Sequence, residues 1–186
     1  GAIAIANASQ AERLRALRQH GQVADAWRRF KDPHALYATP IEEIGYKLNY
    51  TDLQAAIGRV QLARQPELQQ RRREIAQRYA DALEPLAAHV GWQRGVLDAG
   101  HARHLFVTIL HRLPPDLSRD AVITRLRERL IGASLHYMPL HRQPAYTFAL
   151  RHPLPVTDWL AERILTLPIS ASMLAEEADE AAAQLI

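Results

Sequence analysis

Apolar residues occupy both alternating faces of the first six positions, which read GAIAIA. A segment of this kind is typical of a strand in the middle of a sheet, where both faces contact apolar layers. Residues 12–18 have the spacing of a short helix, and Gly21 is placed where such a helix ends. No nearby segment predicts a strand that pairs with residues 1–6, and an unpaired apolar strand promotes aggregation. We therefore expect that a larger sheet-forming part has been removed from this chain or is supplied separately.

Two helices are predicted in the middle of the chain, after a long irregular connection over residues 22–50. Thr51 followed by Gln54 fits a capping box. The apolar stripe that follows consists of Leu53, Ile57 and Val60. Pro66 breaks this pattern and suits the first turn of a second helix. Its apolar positions, Leu68, Ile75, Tyr79, Leu83 and Leu86, continue at helical spacing for about five turns. This length predicts a helix between two domains.

The pattern after residue 91 predicts a smaller α/β region. Residues 103–110 are rich in β-branched and aromatic side chains and predict a strand, and residues 134–138 predict another. Ser118 is placed to cap a helix that ends at Gly132. The last residues, 174–186, predict a terminal helix.

Between residues 139 and 155 the chain is rich in proline and histidine, which predicts a loop. Thr157 is placed to cap the helix after this loop. The apolar positions of that predicted helix are Trp159, Leu160 and Ile164.

Composition excludes several classes of protein. A chain of 186 residues with 48% hydrophobic residues can form a real core. It has no cysteine, which rules out disulfides and thiolate metal sites. No apolar run approaches the roughly 20 residues of a membrane span, and the first residues lack the pattern of a signal peptide. We therefore expect a soluble, cytoplasmic protein.

The net charge of +3 and the isoelectric point near 9.5 raise the question of nucleic-acid binding. The arginines alternate with glutamate along predicted helices, as around Glu74 and Glu128, which is typical of solvated helical faces. Aromatic residues, which proteins that bind single strands interleave with basic ones, are nearly absent from these clusters. A basic nucleic-acid-binding domain is therefore the less favoured alternative, and no nucleic-acid partner is expected.

Six blocks of sequence follow one another in the order seen in one enzyme family. The first is EIGYKLNYTDLQAAIG at residues 43–58, and the longest of the others is HYMPLHRQPAY at residues 136–146. The remaining blocks are RRREIA at 71–76 with Tyr79, HLFV at 104–107, Ile131 with Gly132, and AERILTLP at 161–168. Together they resemble the DegT/DnrJ/StrS aminotransferases over nearly the whole chain.

This resemblance implies the fold class: the C-terminal part of the aspartate-aminotransferase-like (type I) fold of transferases that depend on pyridoxal phosphate. Residues 1–65 are expected to be the remnant of the large cofactor-binding domain with a loop at the dimer interface. Residues 66–90 are expected to form the inter-domain helix, and residues 91–186 a small α/β domain. The resemblance places residues 1–21 directly after the cofactor-binding lysine and a Gly-Gly pair, so this lysine is expected upstream of Gly1.

The resemblance also implies the chemistry. Members transfer an amino group from glutamate to a nucleotide-linked keto-sugar, with pyridoxal 5'-phosphate as cofactor and active sites built from both subunits of a homodimer. Residues 101–106, HARHLF, and the triplet at 45–47, GYK, are most similar to the branch that makes UDP-4-amino-4-deoxy-L-arabinose. We therefore expect amination at sugar carbon 4 for polysaccharide or lipopolysaccharide synthesis. Without the lysine, this chain alone is expected to be inactive.

The resemblance points to two groups of site residues. Lys47 and Asn49 are expected to contact the cofactor phosphate, Lys47 across the dimer interface, where its point charge suits phosphate. The alternative is that both are surface residues of a loop. The residues expected to hold the sugar or nucleotide are His136, Tyr137, His141, Gln143 and Tyr146. The alternative here is a proline turn with solvated histidines beside it.

Two other hypotheses remain from the sequence. His136 and His141 lie five residues apart, but zinc needs at least a third ligand and the neighbouring sequence supplies none, so no metal is expected. The chain also fits a non-catalytic relative that keeps the dimer surface for regulation or dimerisation. A departure from the family follows Leu167 and Pro168, where SAS at residues 170–172 replaces the usual aromatic-proline pair.

Overall fold

The computed structural model describes residues 1–22, 31, 41–149 and 152–185, and these residues belong to two units. The first unit is Gly1–Leu62 and the second is Ala63–Ile186. Most of the long connection predicted between residues 22 and 50, namely 23–30 and 32–40, lies outside the described residues. Of the helices that are described, none is long and apolar enough to cross a lipid bilayer.

Helix α1 (Ala8–Leu17) in the first unit has a side-chain cap at its start and a glycine beyond its end. The side-chain oxygen of Asn7 accepts a hydrogen bond from the backbone N–H of Gln10 at 3.1 Å, which satisfies one donor of the first turn. Gly21 has a φ of +76°, and a Cβ there would lie 1.8 Å from the carbonyl oxygen of Glu43. The predicted helix is confirmed, and it begins at Ala8 instead of residue 12.

The segment at residues 41–48 lies against the C-terminal end of α1. The backbone N–H of Tyr46 donates to the carbonyl of Leu17 at 2.6 Å, and that of His20 donates to the carbonyl of Tyr46 at 2.9 Å. The N–H of Leu48 donates to the carbonyl of Arg18 at 2.9 Å. These bonds fix the backbone on both sides of Lys47.

The predicted strand at residues 1–6 is wrong for the chain as described. These residues form no regular element, and Ile3 and Ile5 are both exposed. The physical reason is that an extended segment becomes a strand only when its backbone groups pair with a neighbour. No described residue supplies that pairing.

Helix α2 (Asp52–Ala63) begins with the predicted capping box. The N–H of Thr51 donates to the side-chain oxygen of Gln54 at 2.9 Å, and the N–H of Gln54 donates to the hydroxyl of Thr51 at 3.3 Å. The helix has no buried residue, and the predicted apolar stripe of Leu53, Ile57 and Val60 is exposed. The periodicity therefore predicted the helix correctly, although nothing described covers its apolar face.

In the second unit, α3 (Gln65–Leu83) carries Pro66 in its first turn, as predicted, and packs against α6 (Ala175–Ala183). An ion pair of 2.7 Å joins Arg78 on α3 to Asp179 on α6. Tyr79 is fully buried, its hydroxyl donates to the carbonyl of Pro168 at 2.8 Å, and its ring lies 4.8 Å from that of Phe106. The long helix is thus anchored to the core along its C-terminal half.

The second unit contains a three-stranded antiparallel sheet in the order β1 (Val90–Trp92), β2 (Phe106–Leu110) and β3 (Ile164–Leu167). Phe106 pairs with Leu167, and Leu110 pairs with Val90. Phe106, Thr108 and Leu110 are buried in alternation, as expected of a strand with one face on the core. The core contains residues of α3, the sheet, α4 (Arg119–Glu128) and α6.

The structure corrects several sequence predictions in the second unit. Strands β1 and β3 were missed because three- and four-residue strands give almost no periodic signal. Ile164, assigned to a helix, begins β3, and α5 (Pro155–Ala161) starts at Pro155 instead of after Thr157. Residues 134–138 form no strand; Ser134 makes a single bridge to Thr166.

Other predictions for the second unit are confirmed. The hydroxyl of Ser118 accepts from the N–H of Ala121 at 3.1 Å and caps α4. This helix ends at Glu128, and Leu130 takes the left-handed conformation before Gly132. The terminal helix is α6.

Candidate active-site residues

Lys47 and Asn49 both lie in the first unit, on the segment that pairs with the end of α1. Lys47 is exposed, and its backbone forms a bridge with Gln19. Asn49 is exposed and lines a cavity of about 1100 Å³. Lys47 is thus exposed but does not line this cavity, whereas Asn49 does.

The walls of this cavity come from residues 1–5, α1 and residues 46–50. Arg15 and Arg18, which sequence reasoning missed, also line it. The Nε of Arg18 is buried and has no hydrogen-bond partner within the described part of the chain. A buried donor without a partner is costly and is normally satisfied by a bound group or by another segment of protein. The i, i+3 spacing of Arg15 on α1 and Arg18 at its C-cap was the only signal in the sequence.

His136 lies in the second unit, between the bridge at Ser134 and the exposed Tyr137. Its Nδ1 is 3.0 Å from the hydroxyl of Thr166 on β3 and 3.4 Å from the hydroxyl of Ser134. The ring of Tyr137 meets the imidazole edge to face, with ring centroids 4.8 Å apart. The imidazole is therefore held against the edge of the sheet.

His141 lies in a 3₁₀ turn, Leu140–Arg142, and contacts α5. Its Nε2 is 2.9 Å from Oδ1 of Asp158, and the side chain of Arg142 reaches the same oxygen at 2.7 Å. Arg142 also contacts Glu162 at 3.3 Å. The hydrogen bond from His141, followed by that from Arg142, lowers the pKa of Asp158 below its ordinary value. One carboxylate thus joins the turn to the helix.

Gln143 directly precedes the second 3₁₀ segment, Pro144–Ala149, and Tyr146 lies within that segment. The backbone N–H of Tyr146 donates to the carbonyl of Gln143 at 2.9 Å, which closes the turn around Pro144–Ala149. Tyr137 and Tyr146 are exposed, whereas Gln143 is half-buried. The five predicted substrate residues thus lie on one continuous segment of the second unit.

Sequence reasoning missed the groups that hold the two histidines. Asp158 is 17 residues from His141, and Thr166 is 30 residues from His136. Asp158 fell within a predicted helix and Thr166 within the family block at residues 161–168, and no local motif joins residues at those separations. Within the described residues, no group of three histidine, aspartate or glutamate side chains is arranged to hold a metal ion.

Comparison with known proteins gives one family. A model of the DegT/DnrJ/EryC1/StrS aminotransferase family matches residues 1–186. The chain is similar to a putative sugar aminotransferase from Streptococcus pneumoniae in its PMP form, with 28% identity and a TM-score of 0.76 over 92% of this chain and 42% of that one. It is also similar to S. venezuelae DesV in complex with a ketimine intermediate, with 27% identity and a TM-score of 0.77 over 96% of this chain and 43% of that one.

A third solved structure has a similar fold. It is Helicobacter pylori PseC, an aminotransferase involved in the biosynthesis of pseudoaminic acid, with 20% identity and a TM-score of 0.80 over 96% of this chain and 46% of that one. The chain spans less than half the length of each of these structures. The fold class is therefore the type I fold of pyridoxal-phosphate-dependent transferases, and pyridoxal phosphate is the cofactor that the family indicates. By the match over residues 1–186, the chain belongs to the DegT/DnrJ/EryC1/StrS aminotransferase family.

Proposed function

We propose that the intact protein transfers an amino group from glutamate to a nucleotide-linked keto-sugar with pyridoxal phosphate as cofactor. The observation that carries this proposal is the family match over residues 1–186, together with solved structures named as sugar aminotransferases. In this proposal the first unit is the end of the large cofactor domain, the helix α3 joins the domains, and the rest of the second unit is the small domain.

The cavity in the first unit supports the cofactor assignment. Pyridoxal phosphate has an anionic phosphate group, and such a group accepts hydrogen bonds from guanidinium and amide donors. Arg18 offers a buried Nε without a partner in the described residues, and Asn49 lines the same cavity. Neither Lys31 nor Lys47, both described, lines the cavity. The residues present thus fit the phosphate end of the cofactor, and the covalent lysine is proposed upstream of Gly1.

When bound, pyridoxal phosphate supplies the electron sink that makes amino transfer possible. The role of this chain is to bind and orient the cofactor and the substrate. We assign Lys47 and Asn49 to phosphate binding, with Lys47 acting across the interface of a homodimer. The residues assigned to the sugar or nucleotide are His136, Tyr137, His141, Gln143 and Tyr146. Their hydroxyl, imidazole and amide groups suit the hydroxyls and phosphates of such a substrate.

The favoured substrate is a UDP-linked 4-keto-pentose, used in the cytoplasm for polysaccharide or lipopolysaccharide synthesis. This choice is supported by the HARHLF segment at residues 101–106. Within that segment, Arg103 is fully buried, and its guanidinium donates to the carbonyls of His101 at 2.6 Å and Asp98 at 2.7 Å.

The test uses the full-length protein, including the segment upstream of Gly1. With pyridoxal phosphate it is expected to turn yellow, to lose that colour when glutamate is added, and to regain it when a UDP-4-keto-pentose is added. The variant in which the upstream lysine is replaced by alanine should do none of these. A stable folded dimer that binds no pyridoxal phosphate would instead identify a non-catalytic relative. If the colour returns only with other keto-sugars, the enzyme assignment stands and the substrate is wrong.

A further inference from the structure

The two histidines of the proposed substrate segment are held through different ring nitrogens. His136 is held through Nδ1 by the hydroxyls of Thr166 and Ser134, at 3.0 and 3.4 Å. His141 is held through Nε2 by the carboxylate of Asp158, at 2.9 Å. The nitrogens without a partner in the described part of the chain are therefore Nε2 of His136 and Nδ1 of His141.

The group that binds one ring nitrogen of each histidine determines whether the other ring nitrogen can donate or accept a hydrogen bond. A hydroxyl both donates and accepts, so Thr166 is compatible with either tautomer of His136. An ionised carboxylate only accepts, so Nε2 of His141 must carry the hydrogen. Asp158 is kept ionised because the hydrogen bonds from His141 and Arg142 lower its pKa. In the neutral ring of His141, the acceptor lone pair is then on Nδ1.

We propose that Asp158 is a positioning residue that holds His141 so that Nδ1 accepts a hydrogen bond from a hydroxyl of the sugar substrate. This inference rests on the proposed function, and it adds which atom of His141 makes the contact. The side chain of His141 is only 12% exposed, so protein surrounds most of the imidazole and limits its movement. A carboxylate that orients an imidazole and selects its tautomer is a well-established arrangement in enzymes.

The contacts of Arg142 with Asp158 and Glu162 provide a control variant for Asp158. Arg142 contacts Asp158 at 2.7 Å and Glu162 at 3.3 Å, so both carboxylates belong to one charged cluster. Of these two carboxylates, only that of Asp158 forms a hydrogen bond with His141. Replacing Glu162 therefore disturbs the cluster but leaves the histidine contact intact, which makes Glu162→Ala the matched control for Asp158→Ala.

The first readout is independent of catalysis. In full-length protein with ¹⁵N-labelled histidine, the Nε2–H of His141 is expected to give a downfield proton signal, because its hydrogen bond to Asp158 slows exchange with water. His141→Gln identifies the signal by removing it. The signal should disappear in Asp158→Ala, remain in Glu162→Ala, and be partly retained in Asp158→Asn, whose amide oxygen still accepts a hydrogen bond.

The second readout is the KM for a UDP-4-keto-pentose at saturating glutamate. Asp158→Ala and His141→Gln should each raise KM about three- to tenfold, the range of one uncharged hydrogen bond, with little change in kcat. Glu162→Ala should leave KM unchanged. If the proposed transamination itself is wrong, no variant shows turnover, yet the proton signal still reports whether Asp158 holds His141.

Three results would overturn the inference. The first would be the absence of the proton signal from the unmodified protein. The second would be its persistence in Asp158→Ala. The third would be its loss in Asp158→Ala with no change in KM. The first two show that Asp158 does not hold the ring. The first of them is measured in the unmodified protein, so it cannot arise from a variant that has lost stability. The third shows that the orientation of His141 does not matter to the substrate.

Discussion

The described apolar side chains of the two units differ in whether they are buried or exposed. In the second unit, Tyr79, Phe106 and Leu126 come from a helix, a strand and another helix, and all three are fully buried in one core. In the first unit, Leu53 and Ile57 on α2 are 74% and 58% exposed, although their helical spacing is just as regular. Periodicity therefore predicts that a helix forms, but not what covers its apolar face. In our proposal, the first unit is covered by the upstream domain and the second subunit.

The largest difference in stability between the two units is expected when one large apolar side chain in each is replaced by alanine. Phe106→Ala should reduce the free energy of unfolding by about 3–5 kcal/mol, because it removes a fully buried ring that contacts Tyr79. The matched change in the first unit, Ile57→Ala, should cost well under that in the isolated chain, because the side chain is already exposed. Urea unfolding of both variants measures the difference. Equal losses would show that α2 is covered within this chain.

The next effect concerns a buried charge. Arg103→Met should cost about 2–3 kcal/mol, because the carbonyls of Asp98 and His101 lose the guanidinium that satisfies them. Arg71→Met, at an exposed position of α3, is the control and should change stability by about 0.5 kcal/mol or less. Thermal unfolding measures both. A small loss for Arg103→Met would mean that water replaces the guanidinium.

A smaller loss, about 1 kcal/mol, is expected for Tyr79→Phe. The change keeps the ring in the core but removes the hydroxyl that donates to Pro168 at 2.8 Å. Burial raises the pKa of this hydroxyl, so the bond persists in moderately alkaline solution. Denaturant unfolding at neutral pH gives the value, and a stability equal to that of the unmodified protein would contradict the bond.

In the first unit, Thr51→Ala should weaken only the start of α2, by about 1 kcal/mol, because it removes half of the capping box. Hydrogen exchange is the right measurement, since no side chain of α2 is buried among the described residues in a core that would couple the helix to global unfolding. Amides in the first turns of α2 should exchange faster, while those of α3 keep their rates. Faster exchange throughout α3 would show that the two helices unfold as one body.

The smallest effect is a pH dependence at Asp158. Its folded pKa lies below the unfolded value of about 3.9, so its stabilising contribution is fully present above that value and is lost as the pH falls through the lowered folded pKa. The carboxylate is partly exposed, so solvent screens the effect. The stability difference between the unmodified protein and Asp158→Asn should shrink as the solution is acidified. A difference that stays constant in acid would contradict the predicted ionisation.

Several elements were predictable because their signals are local. The capping box of Thr51 and Gln54, the proline at the start of α3, and the cap at Ser118 are each defined within four residues, and each is confirmed. The family resemblance at residues 43–58 and 136–146 supplied the fold class and the cofactor, which periodicity alone does not contain.

What could not be predicted depends on distant pairing. Strands β1 and β3 are too short to show a period and exist because β2 lies between them. The partners of the histidines, Asp158 and Thr166, come close only after α5 and β3 have folded. The individual roles of Lys47 and the substrate residues stay predictions, since they come from the family resemblance and not from contacts within the chain.

The central claim is that the lysine that binds pyridoxal phosphate lies outside residues 1–186. The direct measurement is borohydride reduction of the full-length protein with bound pyridoxal phosphate, followed by proteolysis and mass spectrometry of the labelled peptide. We predict a single phosphopyridoxyl-lysine upstream of Gly1, directly before a Gly-Gly pair. A label on Lys31 or Lys47 would contradict the account.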